Sequence, residues 1–166
     1  MAAFDLDTDA LCAYLETSID GFSGPLTAEK FPGGQSNPTY RIDAASGAYV
    51  LRRKPPGKLL KSAHAVDREF RVMSALADSE VPVPRMRVLC DDDSVLGTPF
   101  FVMDHVPGRI FAARVLRDGT PAERAAVYSD LARVLARLHS VDWRAAGLSD
   151  FGRPDGYLAR QVALWT

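Results

Sequence analysis

The stretch Gly33-Gly34-Gln35-Ser36-Asn37 joins two glycines to short polar side chains. Glycine lets a backbone turn sharply and come close to a ligand with no Cβ in the way. Successive N–H groups, helped by Ser36 and Asn37, can then surround a phosphate. A plain hairpin turn uses the same residue types. It is not a Walker A loop: the chain's Gly-Lys pair, Gly57-Lys58, is followed by Leu59 rather than Ser or Thr. Arg52 closes the run "YVLR" that follows the glycines, and its guanidinium is a group that can pair with phosphate. Glu69 lies three residues after Val66 and four before Met73, so on a helix it borders the apolar stripe. A carboxylate buried there is costly unless a cation meets it, and Arg52 is the economical partner. The alternative leaves Glu69 in solvent with helix neighbours such as Arg68. In "FFVMDHVPGR", Met103 can line a pocket while main-chain groups of Asp104 and Val106 meet the edge of a base. The same letters also suit an edge strand entering a linker.

These residues need elements to hold them. Asp7 or Thr8 can cap a first helix with Leu11, Tyr14, Leu15 and Ile19 on one face. Leu26 to Phe31 reads as a strand, and "TYRID" and "AYVLRR" as two more joined by the turn "AASG". "KPPGK" is a loop, because adjacent prolines exclude a helix interior and a central strand. Val66, Phe70, Met73 and Ala77 predict a helix from about Ala63 to Ala77. The strands "RMRVLC" and "TPFFVMDHV" follow, separated by the acidic turn "DDDSVLG". After "PGR" the texture becomes helical. Thr120 as N-cap, Pro121 as first helical residue and Glu123 as capping-box partner open a helix with Val127, Leu131, Val134 and Leu138 on one face. A last helix from near Pro154 carries Leu158, Gln161, Val162 and Trp165. The order predicts an α+β chain: a five-stranded antiparallel sheet with one packed helix, then helices.

Bulk properties exclude several classes. At 166 residues with 47% hydrophobic and 25% charged residues, the chain is globular rather than disordered. A net charge of −1 argues against a general nucleic-acid binder. Cys12 and Cys90 suit a reduced protein better than a disulfide scaffold and carry no catalytic assignment. The acidic start "MAAFDLDTDALCAYL" lacks the basic region of a signal peptide, and no apolar run suits a bilayer. A cytoplasmic location and no membrane partner are expected.

Taken together, "GGQSNPTYRI", "YVLRRKPPGKLLKSAHAVDREFRVMSAL", "VPVPRM", "PFFVMDHVPGRIF", "LARLHSVDW" and "DFGRPDGYLARQVALW" resemble the aminoglycoside phosphotransferase and choline kinase-like family, which shares the protein-kinase fold. The resemblance runs from about Phe31 to Thr166 and is nearest to the branch found as stand-alone bacterial phosphotransferases and fused to some acyl-CoA dehydrogenases. It implies that Gly33, Gly34, Ser36 and Asn37 belong to the phosphate-binding loop. It puts Arg52 at the cation position of the third strand, where many relatives have lysine; the charge is kept but the fork geometry changes. Glu69 matches the helix glutamate, and Met103, Asp104 and Val106 the hinge. The implied domains are a nucleotide-binding lobe over 1–106, with its N-terminal helix and hinge, and the beginning of a helical lobe over 107–166. The implied cofactors are ATP and magnesium, and the acceptor is a hydroxyl on a small molecule.

The family's catalytic loop resembles H-G-D-x-x-x-x-N, and no such motif is present. His139 in "LHSVDW" fails the pattern, since Asp142 is three residues on and position 147 is glycine. A packing or capping role is expected of it. Asp150-Phe151-Gly152 spells the magnesium-holding tripeptide of protein kinases, but it precedes any place where a catalytic loop can lie. It is expected to be a structural turn tied by Asp150 or Arg153. No catalytic residue and no metal ligand are therefore assigned within the chain, and the magnesium ligands are expected beyond Thr166. The expectation is an ATP-dependent phosphotransferase represented by its ATP-binding part and inactive alone. The alternative is a non-catalytic nucleotide-binding module or a pseudokinase-like interaction domain.

Overall fold

The computed structural model describes residues 6–32, 36–57, 64–111, 116, 119–153 and 155–165. The first helix, α1 (Thr8–Ser18), starts where the Asp7 carboxylate accepts from the Ala10 N–H. Its Leu11 and Leu15, with Ile19 beyond its end, turn inward as the helical spacing requires. Strands β1 (Leu26–Lys30), β2 (Thr39–Ala44) and β3 (Gly47–Arg53) form an antiparallel meander. Ala44 pairs with Gly47, so a two-residue turn joins β2 to β3; Gly47 at φ 139 takes the conformation a side chain resists.

Helix α2 (Val66–Ala75) follows, within the expected span; the predicted start at Ala63 lies outside the described residues. Strands β4 (Met86–Cys90) and β5 (Phe100–Asp104) complete a five-stranded sheet in the order β1-β2-β3-β5-β4, antiparallel throughout. Between them, the expected acidic turn contains a short helix, α3 (Asp93–Leu96). Asp92 caps it through the Ser94 N–H and Gly97 ends it at φ 80, the two devices that start and stop helices. An aspartate pattern read only for its charge conceals this capping role.

The sheet has two covered faces. One packs Ile42, Tyr49, Leu51, Phe100 and Val102 against Leu11, Leu15 and Ile19 around α1. The other meets α2, where the Phe70 and Phe101 rings lie 6.0 Å apart. Alternation along β3 divides its side chains between the faces. Tyr49, Leu51 and Arg53 face the α1 core, while Val50 and Arg52 face the α2 side. Arg53, the last residue of β3, is 7% exposed. It donates to Thr98 Oγ1 at 3.2 Å and the Leu96 carbonyl at 2.9 Å, tying β3 to the α3–β5 connection.

Two further helices follow the sheet. Helix α4 (Pro121–His139) has the anticipated capping box, with Thr120 and Glu123 each bonding the other's backbone. Helix α5 (Tyr157–Trp165) begins three residues after Pro154, which lies outside the described residues. Tyr128, Leu131, Leu135 and Leu138 on α4, and Leu158, Val162 and Trp165 on α5, are exposed. His139 is an exposed residue of the last turn of α4, where a basic group meets the negative end of the helix dipole.

Candidate functional site

Because Arg52 and Glu69 come from β3 and α2, they meet only once the helix lies across the sheet. Arg52 Nε then sits 2.6 Å from Glu69 Oε2, and Nη2 donates to Oε1 at 3.4 Å. The Nε contact lacks hydrogen-bond alignment, so its attraction is coulombic. Nη1 donates to Thr39 Oγ1 at 3.3 Å across the β2–β3 ladder. The guanidinium is thus fixed on two sides, a fork held in one orientation. Both partners are about one-third exposed, so the pair keeps a side open to ligand and solvent.

Asn37 is placed otherwise than a phosphate ligand would be. It is 2% exposed, its amide nitrogen donates to Glu69 Oε1 at 3.0 Å, and its amide oxygen is 2.9 Å from His64 Nδ1. Both ends of the side chain are thereby engaged, linking the end of the glycine-rich stretch to α2. Ser36 is exposed beside it. Gly33 and Gly34 lie outside the described residues.

A cleft of about 850 Å³ is lined by Phe31, Val50, Met103, Asp104 and Val106 among others. Val50 and Met103 are register partners, which places two apolar side chains side by side in its wall. The Asp104 N–H donates to the Arg85 carbonyl at 2.9 Å and the His105 N–H to the Ala48 carbonyl at 3.2 Å. Of the two main-chain groups of Asp104, the carbonyl is therefore the one left to offer a ligand. The Asp104 side chain is held by Arg87, Nε to Oδ1 at 2.5 Å and Nη2 to Oδ2 at 3.1 Å. This bond raises the Arg87 pKa further. At the mouth, Arg41 lines the cleft and is bound by Asp43, which it keeps below the ordinary carboxylate value.

Sequence reasoning missed Arg87, His64 and Thr39. The β4–β5 register shifts between Met86 and Val88, and this irregularity aims Arg87 at Asp104. His64 has φ 62, a conformation uncommon outside glycine. Thr39 had a signal, since any hairpin closed by "AASG" makes it the cross-strand partner of Arg52.

The tripeptide 150–152 is a turn, as expected, and Asp150 ties it. Both its oxygens accept from Arg71 on α2, which depresses the Asp150 pKa. Arg153 contributes a carbonyl that accepts from Arg160 at 3.2 Å. Among the described residues no three His, Cys, Asp or Glu side chains gather as a metal donor set.

A five-stranded antiparallel sheet with helices on its faces, one of them carrying a glutamate paired to a cation on the sheet, is the kinase-like fold of aminoglycoside phosphotransferases. Residues 27–166 match the Phosphotransferase enzyme family, and the chain belongs to it. It superposes on a crystal structure from Ralstonia eutropha JMP134, named a "putative aminoglycoside phosphotransferase", with a TM-score of 0.82 and 43% identity over 97% of this chain and 46% of that one. Acyl-CoA dehydrogenase family member 10 of Mus musculus is 48% identical over 95% of the chain, which covers 15% of that protein. Acyl-CoA dehydrogenase family member 11 of Rattus norvegicus is 46% identical over 96% of the chain and 21% of its own length. The chain thus spans about a fifth or less of these two curated relatives. No helix among the described residues is long and apolar enough to cross a membrane.

Proposed function

We propose that the chain is the nucleotide-binding part of an ATP-dependent phosphotransferase whose acceptor is a hydroxyl on a small molecule. The observation that carries this is the Arg52–Glu69 pair at 2.6 Å, with Arg52 two residues along β3 from Val50 in the wall of the cleft. The fit to ATP is good on this chain's own residues. Val50 and Met103 give the purine an apolar slot, and the Asp104 carbonyl with the Val106 N–H gives its edge an acceptor and a donor. Arg52, aimed by Glu69 and Thr39, meets the phosphates, and Gly33, Gly34 and Ser36 enclose them. Asn37 acts from behind, through Glu69.

The described residues do not supply a magnesium donor set, so no step is derived through the metal. In this proposal residues 1–106 bind the nucleotide, 107–166 begin a helical lobe, and the groups that accept the substrate proton and bind magnesium lie outside these 166 residues. The exposed apolar faces of α4 and α5 support that arrangement, since such faces normally pack against further helices. The protein acts in the cytoplasm and engages neither nucleic acid nor membrane.

The test is thermal stabilisation by ATP. Ligand at about 100 times its Kd adds about 2.7 kcal/mol to a folded state that binds it. Wild-type chain is expected to melt higher with ATP, and Arg52→Ala to lose most of that gain. An ATP response equal in Arg52→Ala refutes the site. Magnesium-dependent phosphate transfer by the 166-residue chain refutes its inactivity alone.

A further inference from the structure

Helix α2 is gripped from two sides by different parts of the chain. On one side Glu69 meets Arg52 and Asn37. On the other, Arg68 and Arg71 reach the turn that contains the tripeptide 150–152. Arg71 Nη1 donates to Asp150 Oδ2 at 3.1 Å, and Nη2 donates to Asp150 Oδ1 and, at 2.7 Å, to the Gly147 carbonyl. Arg68 Nη2 donates to the Phe151 carbonyl at 2.7 Å, with its guanidinium 3.9 Å from the Phe151 ring centroid. Phe151 lines one hollow with Glu69, Val72 and Met73, so the turn stands on the same side of α2 as one member of the ion pair.

Apart from its packing on the sheet, where Phe70 meets Phe101, the helix has few fixed points. Val66 is its one buried residue, and its N-cap, Ala65, offers no side-chain bond. Elements with few buried contacts are the ones that shift at low cost. The turn is stiffer: Ala146 bonds Asp142, Gly147 bonds Arg144, Leu148 bonds Trp143 and Phe151 bonds Leu148, all through the backbone. A braced turn bound to a loosely seated helix constrains the helix.

We propose that Asp150 and Phe151 are positioning residues that hold α2 and thereby set Glu69 against Arg52. The role rests on the nucleotide-binding function proposed above, and it gives the tripeptide a use unrelated to metal. Neither residue touches the nucleotide cleft, so their effect passes through the helix. The latch is polar and largely exposed, with the Asp150 side chain 76% accessible, so its removal loosens α2 without unfolding the sheet.

The experiment uses the 166-residue chain and ATP as probe, with Asp150→Asn, Phe151→Ala, Glu69→Gln and the Asp150→Asn/Glu69→Gln double variant. Dissociation constants come from calorimetry, and backbone hydrogen exchange is followed over Val66–Ala75 without nucleotide. Asp150→Asn and Phe151→Ala are expected to speed exchange in α2 while the sheet keeps its protection, and to weaken ATP about three- to tenfold. The double variant is expected to bind no more weakly than Glu69→Gln alone, because both changes act on one contact. Unchanged α2 exchange in both single variants overturns the latch. So does a melting temperature that falls while affinity holds, or an affinity loss that multiplies in the double variant. If the wild type binds no ATP, the nucleotide function fails, and the exchange comparison alone decides whether the turn holds α2.

Discussion

Glu69→Ala and Glu69→Gln, compared in the same melting experiment, separate the charge of Glu69 from its hydrogen-bonding capacity. Alanine removes the acceptor of the Asn37 amide, and Asn37 is 2% exposed, so no bulk water replaces it. An unsatisfied buried donor costs about 1–3 kcal/mol. Alanine also removes the ion pair with Arg52, whose side chains are 31% and 35% exposed, so screening reduces its worth to about 0.5–1 kcal/mol. The higher helix propensity of alanine returns a few tenths of a kcal/mol. The net loss is about 2–3 kcal/mol. For a chain of this size each kcal/mol moves the midpoint by about 2–4 °C, so Glu69→Ala is expected to melt about 5–10 °C lower. Glutamine keeps one oxygen for Asn37 but sets an uncharged NH2 in place of the oxygen facing Arg52, so the ion pair is lost and the midpoint should fall by about 1–4 °C. Thermal unfolding followed by circular dichroism reads both. Equal shifts for the two variants would refute the reasoning, because charge alone would then account for the loss. A shift under about 1 °C for alanine would refute the packing of Asn37 itself.

Other perturbations test other parts of the molecule. Arg53→Met, which keeps the stem but abandons Thr98 and the Leu96 carbonyl, should cost about 1–3 kcal/mol in denaturant titration, and a neutral result would deny the burial of Arg53. Gly24→Ala would drive a Cβ into Cys12 Sγ and set it 3.3 Å from Glu16 Oε1, a clash expected to cost about 1–3 kcal/mol in the same assay. The pH dependence of the Asp150–Arg71 tie has a definite sign. The folded pKa of Asp150 lies below its ordinary value of 3.8, so the tie contributes fully above that value and is lost as pH falls through the lowered folded pKa. The melting difference between wild type and Asp150→Asn should therefore be constant above about pH 5 and close below 3.8. A difference that persists in acid would assign it to something other than the carboxylate.

Some of this architecture was written in local patterns. Period-2 alternation in "YVLRR" already separates Arg52 from Arg53, although the basic run invites treating the two alike. The 3.6-residue spacing of Leu11, Leu15 and Ile19 fixed the buried face of α1, and Thr120, Pro121 and Glu123 fixed the start of α4, because caps and periodicity depend on neighbours a few residues away. Glu69 beside an apolar stripe asked for a cation, and the sheet supplied Arg52. Family membership, too, was legible in the order of the motifs.

What the sequence left open depends on distances along the chain that no local rule spans. Asn37 looked like a phosphate ligand because its type and its glycine neighbours allow that; folding buried it against Glu69 and His64. Asp104 was taken for its backbone, yet its carboxylate became the partner of Arg87 only because the β4–β5 register shifts beside that residue. Asp150 and Arg71 carry complementary charges, but surface charges have many possible mates. Only the placement of the 147–152 turn against α2 selects this pair. Residue type and spacing determined which groups were available and which face each would take, because those follow from backbone geometry. Tertiary structure decided which groups met, because long-range pairing is set by how helix and turn pack on the sheet.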